Sequence, residues 1–306
     1  MATRPEVGAG VADENLSGTA VLVTGATSGV GRETALALGR LGSRVLVHGR
    51  DRERGAAVVE VLRDVGSPDP AFLRSDFRSL EEVRTLADEV RDRVSTLDVL
   101  VNNAGTHFRD GGLTQEGIER TFAVNHLAPF LLTNRLFDLV PPGGRIVTVA
   151  SETHRRADEF DPGAARTVAE YDGFEAYSRS KLANVLFTRE LARRLDDRTA
   201  NCCHPGLVPA SGLWRETPIP LRGFMTVLGH VPSWLTGGTV ESPAEAAETP
   251  VYLAASPAVA DVTGQYFDDC EAVEPAPLAR DEGAQRELWE FSAGVVGLDP
   301  AETPLS

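Results

Sequence analysis

Tyr177 and Lys181 stand four residues apart in Tyr177-Ser178-Arg179-Ser180-Lys181, and Lys181 is the single lysine of a 306-residue chain that otherwise uses arginine for positive charge. Arginine's planar fork does not reproduce a compact ammonium, so a lysine at this one position points to a geometric demand. On a helix, residues four apart share a face, which sets the Lys181 ammonium near the Tyr177 hydroxyl. Two charges about 4 Å apart at an effective dielectric near 20 interact by roughly 4 kcal/mol. At about 1.36 kcal/mol per pKa unit, that would carry a phenol from ~10 towards ~7 before burial pushes it back. A tyrosine so poised exchanges protons at neutral pH. The same spacing occurs on ordinary amphipathic helices, so its weight comes from what precedes it.

The elements that must position the pair begin near residue 20. Ala20-Val21-Leu22-Val23 is a short apolar run, followed by Thr24-Gly25-Ala26-Thr27-Ser28-Gly29-Val30-Gly31 and then by helical spacing from Arg32 to Leu41. Glycines between a strand and a helix permit a tight turn and close approach of a pyrophosphate to free helix amides. Gly25, Thr27, Ser28, Gly29, Val30 and Gly31 are therefore expected to bind a dinucleotide. Their spacing is not that of the Gly-x-Gly-x-x-Gly fingerprint.

A second strand, Arg44-Val45-Leu46-Val47-His48, ends where an NAD-preferring fold places a carboxylate for the ribose 2′-hydroxyl. Gly49 stands there and Arg50 follows, a side chain suited to a 2′-phosphate, so NADP is expected over NAD. Asp51 is the alternative reader of the ribose; its other role is N-cap of the helix over 52–65. Further strands are expected at Ala71-Phe72-Leu73, Val99-Leu100-Val101, Ile146-Val147-Thr148-Val149 and the run before His204. Ser79-Leu80-Glu81-Glu82 opens a helix as a capping box. Strands alternating with helices predict an α/β fold of one domain: a Rossmann-type, doubly wound parallel sheet with helices on both faces.

Taken together, the motifs resemble the short-chain dehydrogenase/reductase family. The glycine turn, Asn102-Asn103-Ala104-Gly105, Asn125, Ser151 and the Tyr177/Lys181 pair stand in that family's order. The likeness is closest to its retinol dehydrogenase branch, through Val124-Asn125-His126-Leu127-Ala128-Pro129-Phe130, Cys203-His204-Pro205-Gly206 and the segment from Val262 to Cys270. The resemblance implies roles. Tyr177 gives a proton when a carbonyl is reduced and takes one when an alcohol is oxidised. Lys181 lowers its pKa and binds the nicotinamide ribose, Ser151 holds the substrate oxygen, and Asn125 holds a water of the proton relay. Asp76 and Phe77 match the place of adenine contacts. Asn103, Ala104 and Gly105 line the cofactor through their backbone, and Pro205, Gly206 and Val208 belong to the loop beyond. Relatives carry a threonine shortly after Pro-Gly; here Ala210 takes that place and Ser211 comes one residue late.

The implied activity is reversible, NADP-dependent hydride transfer to or from the carbonyl or alcohol of a small-to-medium apolar substrate. Reduction of an activated carbon–carbon double bond is the alternative, and a non-catalytic nicotinamide-binding redox sensor a third. Apolar residues between Gly206 and Ser242, among them Trp214, Phe224 and Trp234, suggest an apolar pocket or a cover for the core. The insertion 152–172, with Arg155, Arg156 and Arg166, is a lid or a solvated loop.

Bulk properties narrow the classes. A net charge of −15 and 45 acidic residues disfavour nucleic acid, and fit either a high-salt cytoplasm or a codon bias. Residues 1–17 form a polar tail, 18–297 the NADP-binding domain and 298–306 a second tail. No apolar run is long enough for a membrane anchor, so a cytoplasmic protein is expected. Cys202, Cys203 and Cys270 lack metal-ligand spacing, and no metal is expected. A homo-oligomer is compatible with all of this.

Overall fold

The structure, a computed structural model, describes residues 4–157, 159–206, 208 and 241–298. Eight strands form one sheet: β1 (Ala20–Val23), β2 (Arg44–Gly49), β3 (Ala71–Arg74), β4 (Val99–Asn102), β5 (Arg145–Val149), β6 (Thr199–Cys203), β7 (Tyr266–Asp268) and β8 (Glu271–Val273). Their order is β3-β2-β1-β4-β5-β6-β7-β8; all neighbours pair in parallel except β7 and β8. The expected doubly wound sheet is thus present. Strands β1 and β4 are buried at all four positions because both faces are covered, which is why they read as unbroken apolar runs.

One face carries α2 (Gly29–Arg40), α3 (Arg52–Asp64) and α8 (Glu248–Ala255). Val21, Val23, Leu36, Val45, Val47 and Val251 pack there. The other carries α4 (Leu80–Arg91), α6 (Ala128–Leu136), α7 (Gly173–Arg194) and α9 (Glu282–Val296). Trp289 of α9 stacks on Phe187 of α7 and meets Phe130 of α6 edge-on, so α9 covers α6 and α7. Two short helices complete the α-helices of the described residues, α1 (Pro5–Gly8) and α5 (Arg120–Phe122). Within the polar stretch 1–17, Ala9 and Val11 enter the α2/α8 layer, and Glu6 is buried in ion pairs with Arg4 and Arg40.

Local signals acted largely as their chemistry requires. Asp51 caps α3 by accepting from Arg54 N–H, and Ser79 caps α4 by accepting from Glu82 N–H. The capping box is only half formed, because Glu82 turns its carboxylate to the Asp76 N–H at 2.9 Å. Helix α2 starts at Gly29, earlier than the apolar spacing indicated, since glycines add no side-chain periodicity. Among the described residues no helix is long and apolar enough to cross a membrane.

Candidate active site

In a sheet of this order, the crevice lies beyond the carboxyl ends of β1 and β4, where the winding reverses. A cleft of 1140 Å³ opens there. Into it come Gly25, Thr27, Ser28, Gly29, Val30 and Gly31 from the turn after β1, Arg50 from the end of β2, and Asp76 and Phe77 from the loop after β3. Asn103, Ala104 and Gly105 follow β4; Ser151 follows β5; Tyr177 and Lys181 project from α7; Pro205, Gly206 and Val208 follow β6. Asn125 sits behind the cleft lining, fully buried. Ala210, Ser211, Trp214, Phe224 and Trp234 lie outside the described residues, as does Asp158 of the insertion.

The glycine turn is held by side chains whose partners are distant in sequence. Thr24 Oγ1 accepts from the N–H groups of Asn103 (2.9 Å) and Ala104 (3.0 Å) and donates to Val101 O. Asn103, expected to act through its backbone, also reaches back with Nδ2 to Thr24 O at 2.7 Å. Gly25 adopts φ +65, and a Cβ there would lie 2.8 Å from Ala104 Cα. A Cβ on Gly31 would lie 2.7 Å from Gly25 O. Glycine is therefore required at both positions for the turn to close on the strand beside it.

At the end of β2, a Cβ on Gly49 would lie 2.4 Å from Thr27 Cγ2, so any larger residue there requires the Thr27 side chain to shift. Asp51 is engaged by Arg54, through its amide at 3.1 Å and its Nε at 3.3 Å. Asp76 is paired with Arg78 at 2.6 Å. Burial alone would raise the Asp76 carboxyl, but the hydrogen bonds from Arg78 outweigh it and hold the group below the usual carboxylate range. Arg50, by contrast, has no ion pair among the described residues. The cradle of glycines, the Arg50 guanidinium at the end of β2 and the size of the cleft fit a nicotinamide dinucleotide.

At the reacting end, Ser151 caps the short turn Glu152–Arg156, accepting from Thr153 N–H at 3.2 Å, and its side chain lies near enough to the Tyr177 hydroxyl to lower that group's pKa. Lys181 is buried and donates from Nζ to Val149 O at 2.8 Å, with its ammonium 5.6 Å from the Tyr177 ring centroid. The expected drop in the Tyr177 pKa does not occur in this structure. Burial pushes the phenol up to about 12, against the lowering effect of Ser151. Burial likewise lowers Lys181 to about 8. The i to i+4 spacing fixed the shared face correctly but could not report how completely the surrounding layers exclude water. A phenol so placed keeps its proton at neutral pH.

Asn125 lies in a π-turn, Ala123–Leu127, a local widening often found at functional sites. Its Nδ2 donates to Thr106 O and to Ser180 Oγ, both at 2.9 Å, while its Oδ1 accepts from Thr106 N–H at 2.8 Å. Ser180 Oγ in turn donates to Tyr177 O. The side chain thus braces the exit of β4 against the turn of α7 that carries the tyrosine. The described part of the insertion is packed onto the body: buried His154 bonds Ser151 O and Ala276 N–H, Tyr171 donates to Phe108 O, and Ala165 O accepts from Glu119 N–H.

Sequence reasoning assigned no role to Thr24, His48 or Ser180, which hold the turn and the tyrosine. Thr24 was visible beside the first glycine; nothing in the local pattern marks the other two. Among the described residues no group of three or more His, Cys, Asp or Glu side chains is arranged to hold a metal.

A family model described as short chain dehydrogenase matches residues 19–218. Retinol dehydrogenase 14 of Homo sapiens is 42% identical, over 92% of this chain and 88% of that protein. A putative daunorubicin C-13 ketoreductase of Streptomyces sp. (strain C5) is 38% identical, over 92% of this chain and 94% of that protein. Among solved structures, a landomycin C-6 ketoreductase with bound NADP and rabelomycin has a TM-score of 0.64 at 28% identity, covering 84% of this chain and 96% of that one.

Proposed function

We propose, from the premise that this chain belongs to the short chain dehydrogenase family and to its retinol dehydrogenase-like branch, that it is an NADP-dependent oxidoreductase interconverting a carbonyl and an alcohol on a small-to-medium apolar substrate. The observation that carries the reading is the buried Tyr177, with Ser151 and Lys181 beside it, in the same cleft as the glycine turn and Arg50, which has no ion pair among the described residues. The cofactor, when bound, supplies the hydride. Tyr177 Oη donates its proton to the carbonyl oxygen, Ser151 Oγ holds that oxygen and steadies its developing charge, and the Lys181 ammonium stabilises the phenolate. Gly25, Thr27, Ser28, Gly29, Val30 and Gly31 would take the phosphates, and Arg50 the 2′-phosphate. Val124, Ala150, Val208 and the 42%-exposed Phe174 line the cleft and favour an apolar substrate body.

The cofactor half is tested through Arg50→Ala. A hydrogen bond to a charged group contributes about 1.5–3 kcal/mol, so NADPH binding should weaken roughly tenfold to a hundredfold. NADH affinity should hardly change, because it has no 2′-phosphate. Dissociation constants of both cofactors decide it; a wild-type preference for NADH would assign the ribose to Asp51. The catalytic half is tested by NADPH oxidation against aldehydes and ketones, which must depend on the carbonyl compound.

A further inference from the structure

The turn after β1 and the loop after β3 belong to different crossovers, and one side chain ties them together. His48, next to last in β2, is buried at 2% exposure. Its Nδ1 lies 3.3 Å from Gly25 N and its Nε2 3.1 Å from Ser75 O. A backbone N–H only donates, so Nδ1 is the acceptor, and Nε2 carries the proton and donates to Ser75. Burial pushes the imidazole down to about 4, which keeps the ring neutral and this tautomer in place at neutral pH. The ring also stacks on Phe77, with centroids 4.3 Å apart and planes 15° from parallel. The His48 carbonyl accepts from Ala26 N–H at 2.9 Å, so backbone and side chain grip successive residues of the turn.

We propose that His48 is a positioning residue for dinucleotide binding: one neutral imidazole sets the Gly25 end of the phosphate-facing turn and the Phe77 wall at a fixed separation. The inference rests on reading the cleft as a nicotinamide dinucleotide site. It concerns features shared by NAD and NADP, so it is separate from the choice that Arg50 makes. A strand residue that merely fills the core would lower stability when replaced and leave cofactor affinity alone. A positioning residue changes affinity and leaves the reacting end intact.

The variants separate the contacts. His48→Phe keeps a ring on Phe77 and removes both side-chain hydrogen bonds. His48→Asn places an amide oxygen where Nδ1 stands and restores the acceptor for Gly25. The measurements are dissociation constants for NADPH and NADH by fluorescence titration, melting temperature, and kcat at saturating NADPH. His48→Phe should weaken both cofactors by about tenfold or more, since a buried donor loses its partner. Its KM for NADPH should rise with kcat changed less than about twofold, and His48→Asn should stay within about threefold of wild type. If His48→Phe does not fold, His48→Leu, smaller and equally free of polar atoms, takes its place. A folded variant with wild-type affinities and only a lower melting temperature overturns the inference. So does a loss confined to NADPH, which would place the effect at the 2′-phosphate. Failure of wild type to bind either cofactor refutes the reading of the cleft itself, a different result from wild-type binding that the variants leave unchanged.

Discussion

Replacing Tyr177 by phenylalanine is expected to lower turnover by at least about a hundredfold, the usual scale for a positioned general acid. The substitution removes one oxygen from a residue that is 8% exposed, so the fold and the cleft should persist. NADPH affinity should change little, because the hydroxyl faces Ser151 and the reacting end. Steady-state kinetics with one carbonyl substrate, alongside a direct cofactor titration, separates the two effects. Retention of most of the activity would remove Tyr177 from the chemistry.

Lys181→Arg should be about as damaging, although it keeps the charge. Lys181 is 3% exposed, its Nζ is held by Val149 O, and a Cβ placed on Gly105 would come within 3.4 Å of that nitrogen. A planar guanidinium does not reproduce the single compact ammonium held at that carbonyl. The pH profile adds a sign. Burial holds Lys181 at about 8, below the ordinary lysine range, so it is charged below that pH and neutral above it. Reduction needs the charge when Tyr177 gives up its proton, so the wild-type reductive rate should fall as pH rises through about 8. The residual activity of Lys181→Arg should show no such fall, because a guanidinium stays protonated there. An unchanged rate in the arginine variant, or a wild-type profile that rises through this range, would contradict the role given to Lys181.

Much of this site was legible because its parts are local in sequence. The strand–turn–helix from Ala20 to Arg40 carries its own glycines, and Tyr177 and Lys181 need only one helix to share a face. The parallel pairing followed from alternation, since parallel strands require crossovers. What escaped was set by contacts across the fold. His48 reaches Ser75 and Gly25, Thr24 reaches Asn103 and Ala104, and none of these separations leaves a periodic trace. The direction of the Tyr177 shift escaped for the same reason, because burial is a property of packed layers and not of spacing. The early start of α2 and the half-made box at Ser79 are smaller cases: glycine is silent in an apolar pattern, and the Ser79 amide donates to Asp76 O while Glu82 accepts from the Asp76 amide.

The central claim is that Tyr177 delivers a proton to a carbonyl oxygen, and the most direct measurement is the identity of a single product. Wild-type protein is incubated with NADPH and an apolar α,β-unsaturated ketone, and the product is assigned by NMR. The account predicts the allylic alcohol, formed by wild type and not by Tyr177→Phe. The saturated ketone would instead make the chain a reductase of activated double bonds, and tight NADPH binding without consumption across carbonyl substrates would make it a sensor; either result contradicts the claim.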